Sequence, residues 1–394
     1  MHLIFIAHAY PRHDGDVAGA FVERLAVALV DRGHGVTVVA PADEGAGGRD
    51  ERRGVHVHRV RYAPAARETL AYRGTMADTA RSRAGLVLAG ALVWRQAMHV
   101  VRLARRGAPD LVHAHWWVPG GVSAWLARRL RGLRYVVTLH GTDVRVLESS
   151  RVTRAMGRRV LRGAVAVTAV SEYLAERAAA VAGLDAARML IQPMPADLTR
   201  FTRTSQGGGG IVTVGRLVGQ KRIDIVLEAV QRLQQRGRTV TLTIIGEGPL
   251  RGALEEHAQR LGIAERTRFV GEIPPERLAE VLGDADVFAF PAVGEGLGLA
   301  AAEALLMGIP VVATREGGGV VDIVPDRGPG RLVPQGEPTA MAAAIEELLD
   351  QPGVRQRAVE EGERLRDLLA PDRVAERFEH LYERVAGPET RRHA

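Results

Sequence analysis

Short apolar runs alternate along this chain with longer stretches in which apolar residues return every three or four positions. In the first half, the runs read as strands at Leu3 to Ala7, Gly35 to Ala40, Val55 to Val60, Leu111 to Ala114, Tyr135 to Leu139 and Ala164 to Ala169. Helices are predicted between them, among others over Gly19 to Asp31 and Gly120 to Leu130. After Pro193-Met194-Pro195 and the run Gly207-Gly208-Gly209-Gly210, a second series begins at Ile211 to Val214. It continues at Val240 to Ile245, Arg268 to Val270, Val287 to Pro291, Pro310 to Ala313 and Arg331 to Val333. The helix after Lys221 carries Ile223, Val226, Leu227, Val230 and Leu233 on one stripe, a 3.6-residue period. Strands alternating with helices predict the α/β class, with parallel sheets wrapped by helices. A hinge between about 193 and 210 then divides the chain into domains 1–195 and 196–370. Ligands of such sheets sit at strand carboxyl ends, so the chemistry is expected in a cleft between two Rossmann-like domains.

Composition narrows the classes. With 394 residues, 46% of them hydrophobic, the chain can build two cores. Cysteine is absent, which excludes disulfides, thiolate metal sites and thiol redox chemistry and fits a cytoplasmic location. The start, His2 to Ala7, lacks a basic flank and runs into a Pro/Gly loop, so it reads as a buried strand and not as a signal peptide. The longest apolar run, Ala84 to Trp94, is well short of a bilayer span, and no membrane crossing is expected. Charge is unevenly shared. Residues 1 to 195 hold 28 Arg against 16 acids, or +12, whereas residues 196 to 394 hold 25 basic against 30 acidic residues, or −5. The positive half suits an anionic acceptor or a lipid surface.

Two patterns carry candidate chemistry. Lys221 is the single lysine among 53 basic residues. It closes Gly215-Arg216-Leu217-Val218-Gly219-Gln220-Lys221, between a strand and an amphipathic helix, where a planar guanidinium and a compact ammonium together suit a diphosphate. In Glu295-Gly296-Leu297-Gly298-Leu299, continuing to Glu303, the glycines allow close backbone approach and the helix start points free N–H groups at an anion. The two glutamates are spaced to hold different parts of one ligand, such as a sugar ring and a ribose. They do not form a hydrolase pair.

Taken together, these stretches resemble the donor half of a family 4 glycosyltransferase, with Gly246-Glu247-Gly248-Pro249 and Gly308-Ile309-Pro310 completing the likeness. The first half resembles it too, through Tyr10-Pro11, Gly19, Arg32-Gly33-His34, His113-Ala114-His115-Trp116, His140-Gly141-Thr142-Asp143 and Ser171-Glu172. The resemblance implies the GT-B fold and retaining transfer from a nucleotide-diphosphate sugar to an acceptor hydroxyl, with no metal and no organic cofactor. By the same resemblance, Arg216 and Lys221 clamp the diphosphate, Glu295 meets the transferred sugar and Glu303 the ribose. Gly296, Leu297, Gly298 and Leu299 supply the backbone cradle, Gly19 a phosphate contact, His140 a sugar contact and Ile273 a contact to the base. The last segment, 371–394, is implied to return to the N-terminal domain. The first loop lacks the family's paired glycines, Leu297 replaces a phenylalanine, and Pro193 to Asp197 departs from the usual hinge sequence.

Other signals are weaker. Asp284-Ala285-Asp286 and Asp14-Gly15-Asp16 both mimic a metal-binding pattern, but Asp284 and Asp286 sit between a helix end and a strand, where caps and turns use aspartate. His113 and His115 share one strand face, which suits a structural or acceptor-side role better than zinc. His115, Trp116 and Asp143 are the acceptor-side candidates, with one of Trp116 and Trp117 expected in a sugar-stacking wall and the other in the core. Arg81 to Arg106, with Arg128, Arg129, Arg131 and Arg134, reads equally as peripheral docking on an inner membrane face, beside a lipid-linked acceptor, and as a solvated helix face. Nucleic acid is not expected as a partner. Two rival readings are a sugar-nucleotide epimerase on the same fold and an NAD-dependent oxidoreductase using the Gly246 loop, for which only Glu265 offers a ribose acid. A non-catalytic sugar-nucleotide sensor is a third.

Overall fold

The computed structural model describes residues 1–72, 82–201 and 207–386. Arg81 and the residues after Ala386 therefore lie outside the described residues. The chain forms two compact units, Met1–Ala196 with Leu369–Ala394, and Asp197–Leu368.

In the first unit, β1 (His2–Ile6), β2 (Gly35–Pro41), β3 (Gly48–Arg52), β4 (Val55–Val60), β5 (Leu111–His115), β6 (Tyr135–Leu139), β7 (Ala166–Ala169) and β8 (Leu190–Ile191) form one sheet. Their order is β3-β4-β2-β1-β5-β6-β7-β8. All neighbours are parallel except β3 and β4. The central strands β5 and β6 are buried along their whole length, polar His113, His115 and Thr138 included, as expected where helices cover both faces of a parallel sheet. Strand β3 was not predicted. Its sequence, Gly-Arg-Asp-Glu-Arg, is polar and largely exposed, and it forms only by pairing at the sheet edge.

Helices Arg83–Arg106, Val122–Arg131, Arg151–Gly163 and Glu172–Ala182 pack side by side. The helix Ala20–Asp31 instead packs against the terminal helix Pro371–Val385, which buries Phe378, Leu381 and Tyr382. Glu379 of that helix pairs with Arg32 and His34, and the Tyr382 hydroxyl lies 2.7 Å from His113 Nδ1. The apolar run Ala84 to Trp94 gave too short an estimate of its helix. The observed 24-residue helix is long and apolar enough to cross a membrane by length and composition alone. Here it covers the sheet, with Leu92, Ala97 and Val100 buried and Gln96 Nε2 donating to Ala7 O at 3.0 Å.

The second unit is an all-parallel sheet of β9 (Ile211–Val214), β10 (Leu242–Ile245), β11 (Thr267–Gly271), β12 (Val287–Phe290), β13 (Val311–Thr314) and β14 (Gly330–Val333). Its order, β11-β10-β9-β12-β13-β14, reverses between β9 and β12. A crevice therefore opens at the carboxyl ends of those two strands. The helix Ile223–Gln235 buries the predicted stripe, Ile223, Val226, Leu227, Val230 and Leu233, at up to about 3 kcal/mol per side chain.

Candidate active site

The loops leaving β9 and β12 meet at this crevice. Lys221 Nζ lies 3.0 Å from Glu295 Oε1, and Gln220 Nε2 donates to the same oxygen at 2.9 Å. The ammonium also stands 5.6 Å from the centroid of Phe290, the last residue of β12. Both side chains of the pair are about one-fifth exposed, so the charges stay within reach of solvent. Backbone bonds lock the loops together, from Val293 N to Gln220 O at 3.0 Å and from Glu295 N to Gly317 O at 2.8 Å. Glycine is required beneath Glu295. Gly318 has φ +90°, and a Cβ there would lie 2.2 Å from the Glu295 carbonyl oxygen. Gly215 leaves room for the Lys221 stem, whose Cε would sit 3.1 Å from an added Cβ.

Arg216 projects from the same loop. It is exposed, and its side chain makes no hydrogen bond or ion pair among the described residues. Gly298, at φ +84°, starts the helix Leu299–Leu306; Leu297 is buried beneath the turn, Leu299 is exposed, and Glu303 stands half-buried farther along. Ile273 follows β11, half-buried, and no hydrogen bond ties it to the Lys221–Glu295 pair. Gly246 donates its N–H to Gly271 O at 2.8 Å. An added Cβ on Gly246 would meet Gly215 O at 2.1 Å, and one on Gly248 would meet Leu217 O at 2.5 Å. The Gly246 motif thus packs one loop against another.

In the first unit, a cluster of aromatic rings lies at the ends of β1, β5 and β6. The His140 ring sits 4.3 Å from Trp116 and 5.1 Å from Phe21, and His8 meets Trp116 edge-on at 3.8 Å. His113 and His115 stack at 4.3 Å, sharing one face of β5. His115 Nδ1 lies 3.3 Å from His140 Nε2, while the buried atoms His115 Nε2, His8 Nδ1 and the Tyr10 hydroxyl have no hydrogen-bond partner among the described residues. Burial pushes the His8 imidazole down to about 4 and His113 to about 3, and burial with neighbouring histidines holds His115 and His140 well below the ordinary value. All four are neutral near pH 7. Both tryptophans are buried, so the expected split into one core and one wall residue is not seen; Trp117 is the deeper, its Nε1 donating to Asp143 O at 2.6 Å.

Asp143 is buried. Its Oδ1 accepts from His140 N, Gly141 N and Val144 N at 2.9 to 3.1 Å, and its Oδ2 from Trp117 N at 3.2 Å. Burial raises its pKa, and these amide bonds act against that rise. It was read as an acceptor-side ligand, yet four backbone donors occupy it, and it fixes the turn that presents His140. Gly19 opens the helix Ala20–Asp31 at φ +75°, with an added Cβ only 2.3 Å from Ala9 O.

A model of the family described as glycosyl transferases group 1 matches residues 201–365, and a glycosyl transferase 4-like domain matches residues 18–195. The chain is a family 4 glycosyltransferase. It is 31% identical over 317 residues to a 2-deoxystreptamine glucosyltransferase of Streptomyces kanamyceticus, covering 73% of this chain and 81% of that one. With a D-inositol 3-phosphate glycosyltransferase of Catenulispora acidiphila it shares 30% over 382 residues, 88% of this chain and 86% of the relative. Among solved structures, sucrose-phosphate synthase of Thermosynechococcus elongatus superposes with a TM-score of 0.75 at 22% identity, covering 97% and 98% of the two chains. A second, Anabaena HepE in complex with UDP, gives 0.74 at 18%, covering 98% and 100%. These two likenesses establish the GT-B fold.

The glycosyltransferase uses its two metal-like aspartate pairs to hold loops. Asp286 accepts from Gly208 N at 2.8 Å and Gly210 N at 2.9 Å, and Asp16 binds Arg12 Nε at 2.6 Å. No group of three His, Asp or Glu among the described residues is placed to hold a metal ion. The sequence reading passed over Gln220, His8, Phe21 and the turn Glu316-Gly317-Gly318-Gly319. A run of three glycines was the one available signal for the last.

Proposed function

We propose that this glycosyltransferase moves a sugar from a nucleotide-diphosphate donor to an acceptor hydroxyl with retention and without a metal. The donor is held on the second unit and the acceptor on the first. One observation carries the reading: the single lysine and Glu295, from loops far apart in sequence, meet 3.0 Å apart at the switch point of a parallel sheet. An arriving diphosphate would replace Glu295 as the partner of Lys221, with Arg216 as second cation. Each charge-assisted contact is worth about 1.5–3 kcal/mol and grows as the leaving group gains charge. Released from the ammonium, Glu295 accepts hydrogen bonds from the sugar. Gly296, Gly298 and the start of the helix Leu299–Leu306 cradle phosphate and sugar, Glu303 holds the ribose, and Ile273 borders the base.

The bond from the anomeric carbon to phosphate breaks as the acceptor oxygen bonds to the same face. The acceptor proton passes to the departing phosphate oxygen. Neutral His140, held by Asp143, offers a hydrogen bond to the sugar without adding charge, and Trp116 and Phe21 pack against its ring. Two cationic side chains supply the charge neutralisation for which a divalent ion would otherwise serve.

A thermal-shift panel of nucleoside diphosphates and their sugars tests the reading. The matching donor at 100 times its Kd should stabilise by about 2.7 kcal/mol, or roughly 5–10 °C. Absence of any shift across the panel would contradict donor binding, and a covalent sugar trapped on Glu295 would contradict same-face attack.

A further inference from the structure

The positive charge of the first unit is concentrated on one surface. Helices Arg83–Arg106, Val122–Arg131 and Arg151–Gly163 contain five, three and five arginines and no aspartate or glutamate. These thirteen arginines exceed the +12 of the whole first 195 residues, so everything else in that half is close to neutral. The three helices are neighbours, with Val122–Arg131 touching both of the others. All thirteen side chains are exposed. Arg128, Arg154, Arg158 and Arg162 reach backbone carbonyls, but none of the thirteen pairs with a carboxylate among the described residues. Elsewhere arginines are routinely paired, as in Arg222–Asp224, Arg236–Glu346, Arg331–Glu347 and Arg364–Glu361.

The same helices expose apolar side chains between the arginines. Leu86, Val87, Trp94, Leu130, Val152 and Met156 are six of the twelve large apolar residues exposed among the described residues. Val87 is 71%, Trp94 54% and Val152 72% accessible. In the first helix, Arg83, Leu86, Val87, Gly90 and Trp94 follow helical spacing along one exposed stripe. A polyanion such as nucleic acid would satisfy the guanidiniums but offer nothing to Leu86, Val87, Val152 and Met156. An anionic bilayer meets both, with phosphates for arginine, the acyl boundary for the aliphatic residues and the interface for tryptophan.

We infer that this three-helix face docks the enzyme peripherally on an anionic lipid surface. It leaves the Lys221–Glu295 constellation untouched, so the inference stands apart from the donor reading. In a cell it would hold the enzyme on a membrane leaflet rich in acidic lipids.

Co-sedimentation of the full chain with vesicles tests it, using phosphatidylcholine alone and phosphatidylcholine mixed with phosphatidylglycerol. Binding should require phosphatidylglycerol and weaken in high salt. The emission of Trp94 should shift to the blue on binding, and the shift should vanish in Trp94→Ser. Arg158→Gln with Arg159→Gln should lower the partition coefficient about 30-fold, at about 1 kcal/mol per arginine. Val87→Ser with Trp94→Ser should lower it at least tenfold. All of these residues are exposed, so an unchanged melting temperature certifies the fold. Three results would overturn the proposal: no binding to phosphatidylglycerol vesicles, binding insensitive to the apolar substitutions, or binding to duplex DNA or heparin with equal affinity and the same arginine dependence.

Discussion

The two units handle charge in opposite ways at the ends of their strands. In the first, His8, His113, His115 and His140 are stripped of charge by burial among aromatic rings. In the second, Lys221 and Glu295 pair with each other at 3.0 Å, each about one-fifth exposed, beside Arg216, which has no ion-pair partner among the described residues. A neutral aromatic surface recognises hydroxyls and sugar faces without competing for phosphate, whereas a paired but exposed cation can exchange its partner for a stronger anion. The first unit thus presents a preorganised, uncharged ring cluster, and the second an electrostatic pair that remains partly accessible.

Acid should separate the units most strongly. The unfolded chain protonates its histidines near pH 6.5, whereas folded His113 and His115 resist until far lower. Stability is therefore full above about pH 6.5 and falls as pH drops through the window beneath it. From pH 7 to 5, each of these two buried imidazoles should remove roughly 2 kcal/mol. The second unit holds one histidine, His257, and it is not buried. All four tryptophans, Trp94, Trp116, Trp117 and Trp125, lie in the first unit, so urea unfolding followed by tryptophan emission reads that unit alone. A midpoint that does not fall on acidification would contradict the neutral cluster.

Asp143→Ala should come next, costing the first unit about 3 kcal/mol in the same urea assay, since four buried amides lose their acceptor. A loss well under 1 kcal/mol would mean that the turn does not depend on it. Lys221→Arg should leave both units folded but lower kcat/KM about 100-fold, or roughly 2.7 kcal/mol, because a planar fork cannot occupy the slot between Gly215 and Phe290. Near-normal turnover would remove the point-charge requirement. Glu303→Ala should have the smallest effect, raising the donor KM about tenfold with kcat little changed.

Much of this was legible in the sequence because burial writes itself into apolar runs. The strand from Ile211, the stripe from Ile223 to Leu233 and the sharing of one face by His113 and His115 follow from period alone. Strand β3 was not legible, since a polar edge strand forms only when a neighbour is present. Nor was the partner of Lys221: the motifs of Lys221 and Glu295 could be read separately, but their meeting depends on strand order, which places β9 beside β12. Asp143 misled for a related reason, because a carboxylate beside a histidine looks like a ligand until its amide donors are seen. Conversely, arginine content was visible at once, while its segregation onto three adjacent helices emerged only from their packing.

The exchange at Lys221 is tested most directly by calorimetric titration of Glu295→Gln with the nucleoside diphosphate that stabilises the enzyme most. Removing the carboxylate frees the ammonium, so the free diphosphate should bind about tenfold tighter than to the native enzyme while sugar transfer falls at least 100-fold. Unchanged or weakened diphosphate affinity in Glu295→Gln would contradict the account.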